Sequence, residues 1–406
     1  VQINKSLGKA WGPSPKLTHW MYTSIIRPKI TYGCHIWCHK LPKQWLEAKS
    51  RQVQRWALTK LGPVREKTPT AGLEIISNTP PLELIMGYFS MKTIIRFLNV
   101  NFRPLQANFG HLRFWQNKLQ TEVPLALQMS DRELRTSAPV FHSRLVLPKQ
   151  VTNQADIYTD GSGIGNISKV IESGNSQVET DTNESEKAPS FGSGFYLEWP
   201  NENGKPHSRV GIYPNGRYYS VFLSEIKAIT KAVYHFINES VRVEQVVIFT
   251  DCLSALKALN SSYTNSATVR ECWQWLKVLD ASYEWSIQWI KSHAGNVGNE
   301  NADKLAKAAA KLSLEGANPW TRVPPKQIDR LLSNHLIQSW TTYWQNRPDC
   351  RQTKLWLPTP DPKKSKQILA LNRDDFGLIT RWITGHCYLA RHQAFMHPEI
   401  DKKCYL

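Results

Sequence analysis

Asp156-Ile157-Tyr158-Thr159-Asp160-Gly161-Ser162-Gly163 is the stretch that decides how the rest of this chain is read. β-branched and aromatic residues run up to a carboxylate, and a Gly/Ser pair follows at once, which predicts a strand that ends on Asp160 and turns. Working outward, three more acids fall where one site could use them. Glu225 sits in Leu223-Ser224-Glu225-Ile226-Lys227-Ala228, and Asp251 closes the apolar run Val246-Val247-Ile248-Phe249-Thr250. Asp303 lies in Gly298-Asn299-Glu300-Asn301-Ala302-Asp303, just after Trp289-Ile290-Lys291-Ser292-His293-Ala294-Gly295-Asn296.

Strands and helices alternate through this region. Ser193–Trp199 and His207–Tyr213 read as strands, and the all-apolar Val246–Phe249 reads as a strand covered on both faces. The spacing predicts a helix over Ser224–Ile237 with Glu225, Ala228, Ile229 and Ala232 on one face. Shorter helices follow at Leu253–Leu259 and Ala267–Leu279, then a strand at Trp285–Ile290 and an Ala/Lys-rich helix from about Asn299 towards Leu314. Asn166–Ser190 is a polar insertion between the first two strands.

Hydrolysis of a phosphodiester needs an in-line water, a stabilised leaving oxygen and neutralised charge, and a pair of divalent ions supplies all three. Magnesium prefers oxygen ligands, so carboxylates without Cys or His are the expected protein share. Asp160, Glu225, Asp251 and Asp303 form such a set. Crowded without metal they repel, so at least one pKa should rise. Each acid has an ordinary reading too: Asp160 and Asp251 as helix caps, Asp303 as a complement to a helix dipole, Glu225 as a solvated residue.

Taken in order, the motifs resemble those of a ribonuclease H domain over nearly all of residues 155–311. They are Thr-Asp-Gly-Ser, Ser-Glu-x-x-Ala-Ile, Thr-Asp-Cys-x-Ser-Ala, Lys-Ser-His-x-Gly and Gly-Asn-Glu-x-Ala-Asp-x-Leu-Ala. The resemblance implies an α/β fold with a mixed five-stranded sheet and flanking helices. It also implies cleavage of the RNA strand of RNA·DNA hybrids. Two magnesium ions, with manganese as a substitute, would be held by Asp160, Glu225, Asp251 and Asp303. By the same resemblance His293 is the mobile histidine that aids proton transfer or product release, and Gly161 and Ser162 are the turn that meets the RNA strand through its 2′-hydroxyls. The chain departs from some cellular members in having no lysine-rich helix between Leu253 and Trp285.

The 406 residues carry a formal net charge of +18, with 41% hydrophobic residues, which is globular composition. Residues 1–150 hold 22 Lys/Arg against 7 acids, residues 151–312 hold 15 against 18, and residues 313–406 hold 14 against 8. A basic arm beside an acid-bearing domain fits an anionic polymer held by one part and processed by the other. No run of about 18 apolar residues predicts a membrane span, no signal peptide opens the chain, and Val1 at its start points to a piece of a longer product. Seven scattered cysteines suit reduced thiols in an intracellular protein, nuclear or cytoplasmic.

Residues 1–150 are expected to be mostly helical, with Pro28 interrupting a helix and Gln44–Lys60 presenting Trp45, Ala48, Val53, Trp56 and Ala57 on an apolar face. Cys34-His35-Ile36-Trp37-Cys38-His39 reads as helix thiols rather than zinc ligands, since no second pair lies nearby. Arg27-Pro28-Lys29-Ile30-Thr31-Tyr32-Gly33, Val53-Gln54-Arg55, and the Thr-Pro-Thr and Pro-Pro-Leu steps resemble the thumb or connection region of reverse transcriptases of Jockey-like non-LTR retrotransposons. That implies a grip on primer–template or single strands through 1–150. The palm is missing: no Tyr-x-Asp-Asp occurs, and Asp374-Asp375 does not match its hairpin. In the helical tail, 313–406, Trp340, Trp344, Trp356 and Trp382 read as helix core or as base-stacking residues. Leu378–His392 resembles the retroelement segment after ribonuclease H, and Cys404 resembles the first ligand of a truncated zinc knuckle. Two alternatives are a catalytically weak nucleic-acid-binding remnant of a retroelement, and a two-metal nuclease or integrase of the same fold acting on DNA; the Asp–Glu–Asp–Asp order and the His293 loop disfavour the integrase.

Overall fold

A computed structural model describes residues 12–99, 110–123, 131–141, 153–165, 189–201, 206–239, 241–315 and 322–387. Two compact units emerge. One, the helical unit, takes the described residues of Val1–Leu98, Phe102–Val123 and Leu332–Leu406; the other, the sheet unit, takes those of Asn99–Asn101 and Pro124–Leu331. These units do not follow the consecutive stretches 1–150, 151–312 and 313–406. The reason is burial. Leu58, Leu61, Leu73 and Ile75 share one core with Trp340, Trp344, Leu357 and Phe376, so helices from both ends of the chain cover each other's apolar faces.

In the helical unit, Pro28 is accommodated by a change of winding. The helix Pro15–Met21 passes through a π-turn at Tyr22–Ile26 into a short helix, Arg27–Thr31, with proline in its first turn. The helix Lys43–Leu58 turns out differently from its apolar pattern. It buries Ser50, Gln54, Ala57 and Leu58, while Trp45 and Val53 are exposed. Gln54 goes inward because its amide is satisfied there: it accepts from Tyr22 Oη at 3.1 Å and donates to Glu74 Oε1 at 3.0 Å. Cys34 and Cys38 are buried against Ser90, as thiols on one helix face should be. Asp374 and Asp375 lie in the first turn of the helix Arg373–Thr384, behind the Asn372 cap. Trp340 and Trp344 are core, while Trp356 and Trp382 are not.

The strands of the sheet unit are β1 Arg132–Ser137, β2 Gln154–Ile164, β3 Ser190–Trp199, β4 His207–Gly216, β5 Gln245–Thr250, β6 Tyr263–Ser266 and β7 Glu284–Trp289. Its helices are α1 Val221–Asn238, α2 Leu253–Leu259, α3 Ala267–Asp280 and α4 Val297–Glu315. Five strands form one mixed sheet in the order β4-β3-β2-β5-β7. The β2/β3 and β3/β4 pairs are antiparallel, and β2/β5 and β5/β7 are parallel. This is the mixed five-stranded α/β architecture expected from the motifs. A small second sheet pairs β1 with β6.

Two opposite faces bracket this sheet. On one, Ile157, Phe195 and Leu197 pack with Ile226, Ile229, Val233 and Phe236 of α1, and with Trp273 and Leu276 of α3. On the other, α4 lies against β3 so closely that a Cβ at Gly194 would stand 2.3 Å from the Ala306 backbone nitrogen. The fully buried Ala302, Ala306, Ala309 and Ala310 make the matching face of α4. Residues 166–188 of the expected polar insertion, and Cys404 with the segment from Tyr388 on, lie outside the described residues. Among the described residues no helix is long and apolar enough to cross a membrane.

Candidate metal and catalytic site

Strand register brings the first two acids together. β2 and β5 run parallel with Thr159 opposite Thr250, so the next residues, Asp160 within β2 and Asp251 just past the end of β5, emerge side by side where the parallel pairing stops. α1 adds Glu225 from one face of the sheet, and α4 carries Asp303 on the opposite face. Carboxylate oxygens of Asp160, Glu225 and Asp251 all lie within 4.8 Å of one another. Asp303 stands outside that trio, although its carboxyl is close enough to Asp160 to raise the latter's pKa by charge and hydrogen bonding. It accepts a 2.6 Å hydrogen bond from Lys307 Nζ one helical turn on.

The local folding explains the positions. Ser220 caps α1 by accepting from Leu223 N, so the helix starts before Ser224 and Glu225 falls in its second turn. Asn296 caps α4 in the same way, accepting from Asn299 N at 3.1 Å, so the helix begins at Val297, ahead of the expected Asn299, and Asp303 falls in its second turn. Gly161 is not part of a turn. β2 continues to Ile164, with Gly161 opposite Ser193 and Ser162 opposite Gly192. The glycine answers a packing demand instead, because α1 crosses β2 directly above it. Gly161 is therefore buried, and Ser162 is half-buried.

Burial sets the electrostatics. Glu225 is 4% exposed and Asp160 7%. Burial first, and then the charges of Asp251 and Asp303, push the Asp160 carboxyl up to about 7, against the opposing pull of the Gly161 N–H. Burial also holds Glu225 well above the usual carboxylate range, with the charge of Asp160 next in importance. The expected rise in carboxyl pKa is present, with desolvation ahead of repulsion as its cause. Glu225 Oε2 is buried without a hydrogen-bond partner. An anionic oxygen left so is costly unless a cation meets it.

Several supporting residues escaped the sequence reading. Asn215 Nδ2 donates to Ser193 Oγ at 2.7 Å and to Ser224 Oγ at 2.9 Å, and Ser193 Oγ donates to the Ser224 carbonyl at 2.6 Å. This buried network ties β3, β4 and α1 together at the residue before Glu225. Asn299 Nδ2 approaches Asp251 Oδ2 at 3.4 Å, and the Trp289 indole donates to the Asp251 carbonyl at 2.9 Å. Only Asn299 carried a signal, one helical turn before Asp303 in the same motif. His293 lies outside the carboxylate trio, exposed on the 290–296 loop, with φ of 53° followed by Gly295 at 82°.

Comparison with known proteins places residues 217–311 within the RNase H family model. A 39-residue stretch is 54% identical to the ribonuclease H of Dichelobacter nodosus, which is 10% of this chain and 26% of that protein. The chain thus spans about a quarter of the length of the curated relative it matches. Among solved structures, RNase H1 of the halophilic archaeon Halobacterium salinarum is 18% identical over 39% of this chain and 98% of its own, with a TM-score of 0.27. The protease–reverse transcriptase of prototype foamy virus is 19% identical over 43% of this chain and 22% of its own, with a TM-score of 0.29. The family match contains Glu225, Asp251, His293 and Asp303, and Asp160 lies upstream of it on β2.

Proposed function

We propose that the ribonuclease H-family domain of this chain hydrolyses the RNA strand of RNA·DNA hybrids. Asp160, Glu225, Asp251 and Asp303 would hold its divalent ions, magnesium or in its place manganese. The observation that carries this reading is the convergence of the Asp160, Glu225 and Asp251 carboxylates around the unpartnered Glu225 Oε2. An all-oxygen donor set fits a hard divalent cation. Such ions supply positive charge at the scissile phosphate and an acidified water.

The chain's own residues do the rest. The β2–β5 register and the covering helices hold the acids in place, so that no reorganisation is needed when charge develops. His293, exposed on its loop, takes the role of moving a proton at the departing 3′-oxygen. Because Gly161 is buried under α1, contact with the RNA strand falls to Ser162 and the exposed Gly163.

The reading extends to the setting of the domain, a retrotransposon polyprotein in which the thumb-like helices of 1–150 hold primer–template. The motifs around Arg27–Gly33 and the excess of Lys/Arg in 1–150 support it. An intracellular location, nuclear or cytoplasmic, is part of the same reading, and the six described cysteines, all unpaired, support it.

The test is cleavage of a labelled RNA·DNA hybrid with magnesium, beside duplex DNA, duplex RNA and Asp251→Asn. Loss of RNA from the hybrid alone, abolished in the variant, is expected. Cleavage of duplex DNA would overturn the reading, and hybrid binding without cleavage would favour the catalytically weak remnant.

A further inference from the structure

We infer that Trp356 and Trp382 form a stacking platform for single-stranded nucleic acid on the helical unit. Of the four tail tryptophans, Trp340 and Trp344 are almost fully buried, whereas Trp356 is 46% exposed and Trp382 53%. The two exposed rings lie against each other with centroids 5.5 Å apart and planes at 34°. Leu355 is exposed beside Trp356, and Leu378 is exposed one turn before Trp382 on the same helix. An apolar surface of this kind, left open by the core that absorbs Trp340 and Trp344, calls for an occupant.

Charge selects the occupant. Residues 351–387 carry seven Lys/Arg against three Asp and no Glu. Lys363, Lys364 and Lys366 are exposed on the helix Pro362–Leu369, and Lys364 Nζ donates to the Trp356 carbonyl at 3.4 Å. A ligand with flat π faces and a regular negative backbone satisfies both halves of the surface, bases on the indoles and phosphates on the ammonium groups. A duplex offers base faces only at its ends, so the strand that fits is single. This binding does not depend on the nuclease reading.

The experiment uses the full chain without divalent ions and follows the anisotropy of labelled oligo-dT and oligo-U of about 20 nucleotides, longer than common single-strand site sizes. Trp356→Ala/Trp382→Ala should weaken binding at least about tenfold, the effect of losing one or two stacked bases. Trp356→Phe/Trp382→Phe should restore most of it. Lys363→Gln/Lys364→Gln keeps the rings and should weaken binding with a shallower salt dependence. A folded alanine pair with affinity within twofold of the parent would overturn the inference. So would a dimer that dissociates in the alanine pair, which would assign the surface to a second copy of the chain. If the alanine pair fails to fold, the lysine pair decides, and unchanged affinity with an unchanged salt slope would overturn it. Cleavage of a blunt hybrid by the same variants, with magnesium added, reads the nuclease separately and should be unaffected.

Discussion

Gly161 and Glu225 are in backbone contact: a Cβ at 161 would stand 2.4 Å from the Glu225 nitrogen and 2.8 Å from the Ser224 carbonyl carbon. The obstacle is helix backbone and not the end of a side chain, so α1 itself must move to admit a methyl group. Gly161→Ala should cost about 1–3 kcal/mol of stability, as overpacking does. It should also lower hybrid cleavage at least tenfold by displacing Glu225 from Asp160 and Asp251. Thermal melting and single-turnover cleavage check both. A variant that melts early yet cleaves normally would show that this contact does not position Glu225.

Gly194 plays the corresponding part on the other face, where a Cβ would also meet the Ala302 carbonyl oxygen at 2.7 Å. Gly194→Ala should lift α4 and carry Asp303 with it. Since Asp303 stands outside the trio, the expected loss is smaller and lies in kcat, with hybrid affinity near that of the parent. Steady-state kinetics separate the two parameters, and an effect confined to KM would contradict the assignment.

These two glycines mark what the sequence could and could not tell. The four acids were legible because each sits in a short motif and the motifs come in a fixed order. The β2–β5 register that sets Asp160 beside Asp251 was not legible, because a strand of 11 residues and one of 6 can pair in more than one way. The role of Gly161 was not legible: Gly-Ser after an acid carries the signature of a turn, and only the crossing of α1 reveals a close approach. Nor was Gln54, a polar residue on the buried side of a helix whose tryptophan and valine had suggested the opposite face. Its partners, Tyr22 and Glu74, lie 32 and 20 residues away. Long-range satisfaction of polar groups leaves no periodic trace.

Asp160 links the site to pH. Its folded-state pKa of about 7 exceeds the 3.8 of an ordinary aspartate. The native state therefore binds this proton more tightly, and its stabilising contribution is full below about pH 4 and is lost as pH rises towards 7. Glu225, shifted the same way, adds to the trend. Without metal, the stability of the parent relative to Asp160→Asn should fall between pH 4 and 7. Magnesium should offset that fall, so its stabilising effect should be larger at pH 7.5 than at pH 5. Urea midpoints at the two pH values, with and without magnesium, provide the check. A magnesium shift equal at both pH values would mean that the carboxylates do not gate the ion.

Glu74 gives the helical unit its own pH dependence. It is 3% exposed, Oε1 accepts from Gln54 Nε2 at 3.0 Å, and Oε2 is buried without a partner. Burial first, then the charge of Glu83, pushes its pKa up to about 8 from 4.5. The carboxyl is thus largely neutral at pH 7. By the same sign, its contribution is full below about pH 4.5 and is lost as pH rises through 8. Glu74→Gln keeps the shape and the neutral state, and its carbonyl can accept the Gln54 bond. Near pH 6 the variant should match the parent within about 1 kcal/mol, the scale of one hydrogen bond. At pH 9 it should be the more stable of the two, because only the parent must then bury a charge. Urea unfolding at both pH values, followed by a probe in the helical unit, decides. A parent as stable as the variant at pH 9 would mean that Glu74 is ionised at no cost, with a cation already beside Oε2.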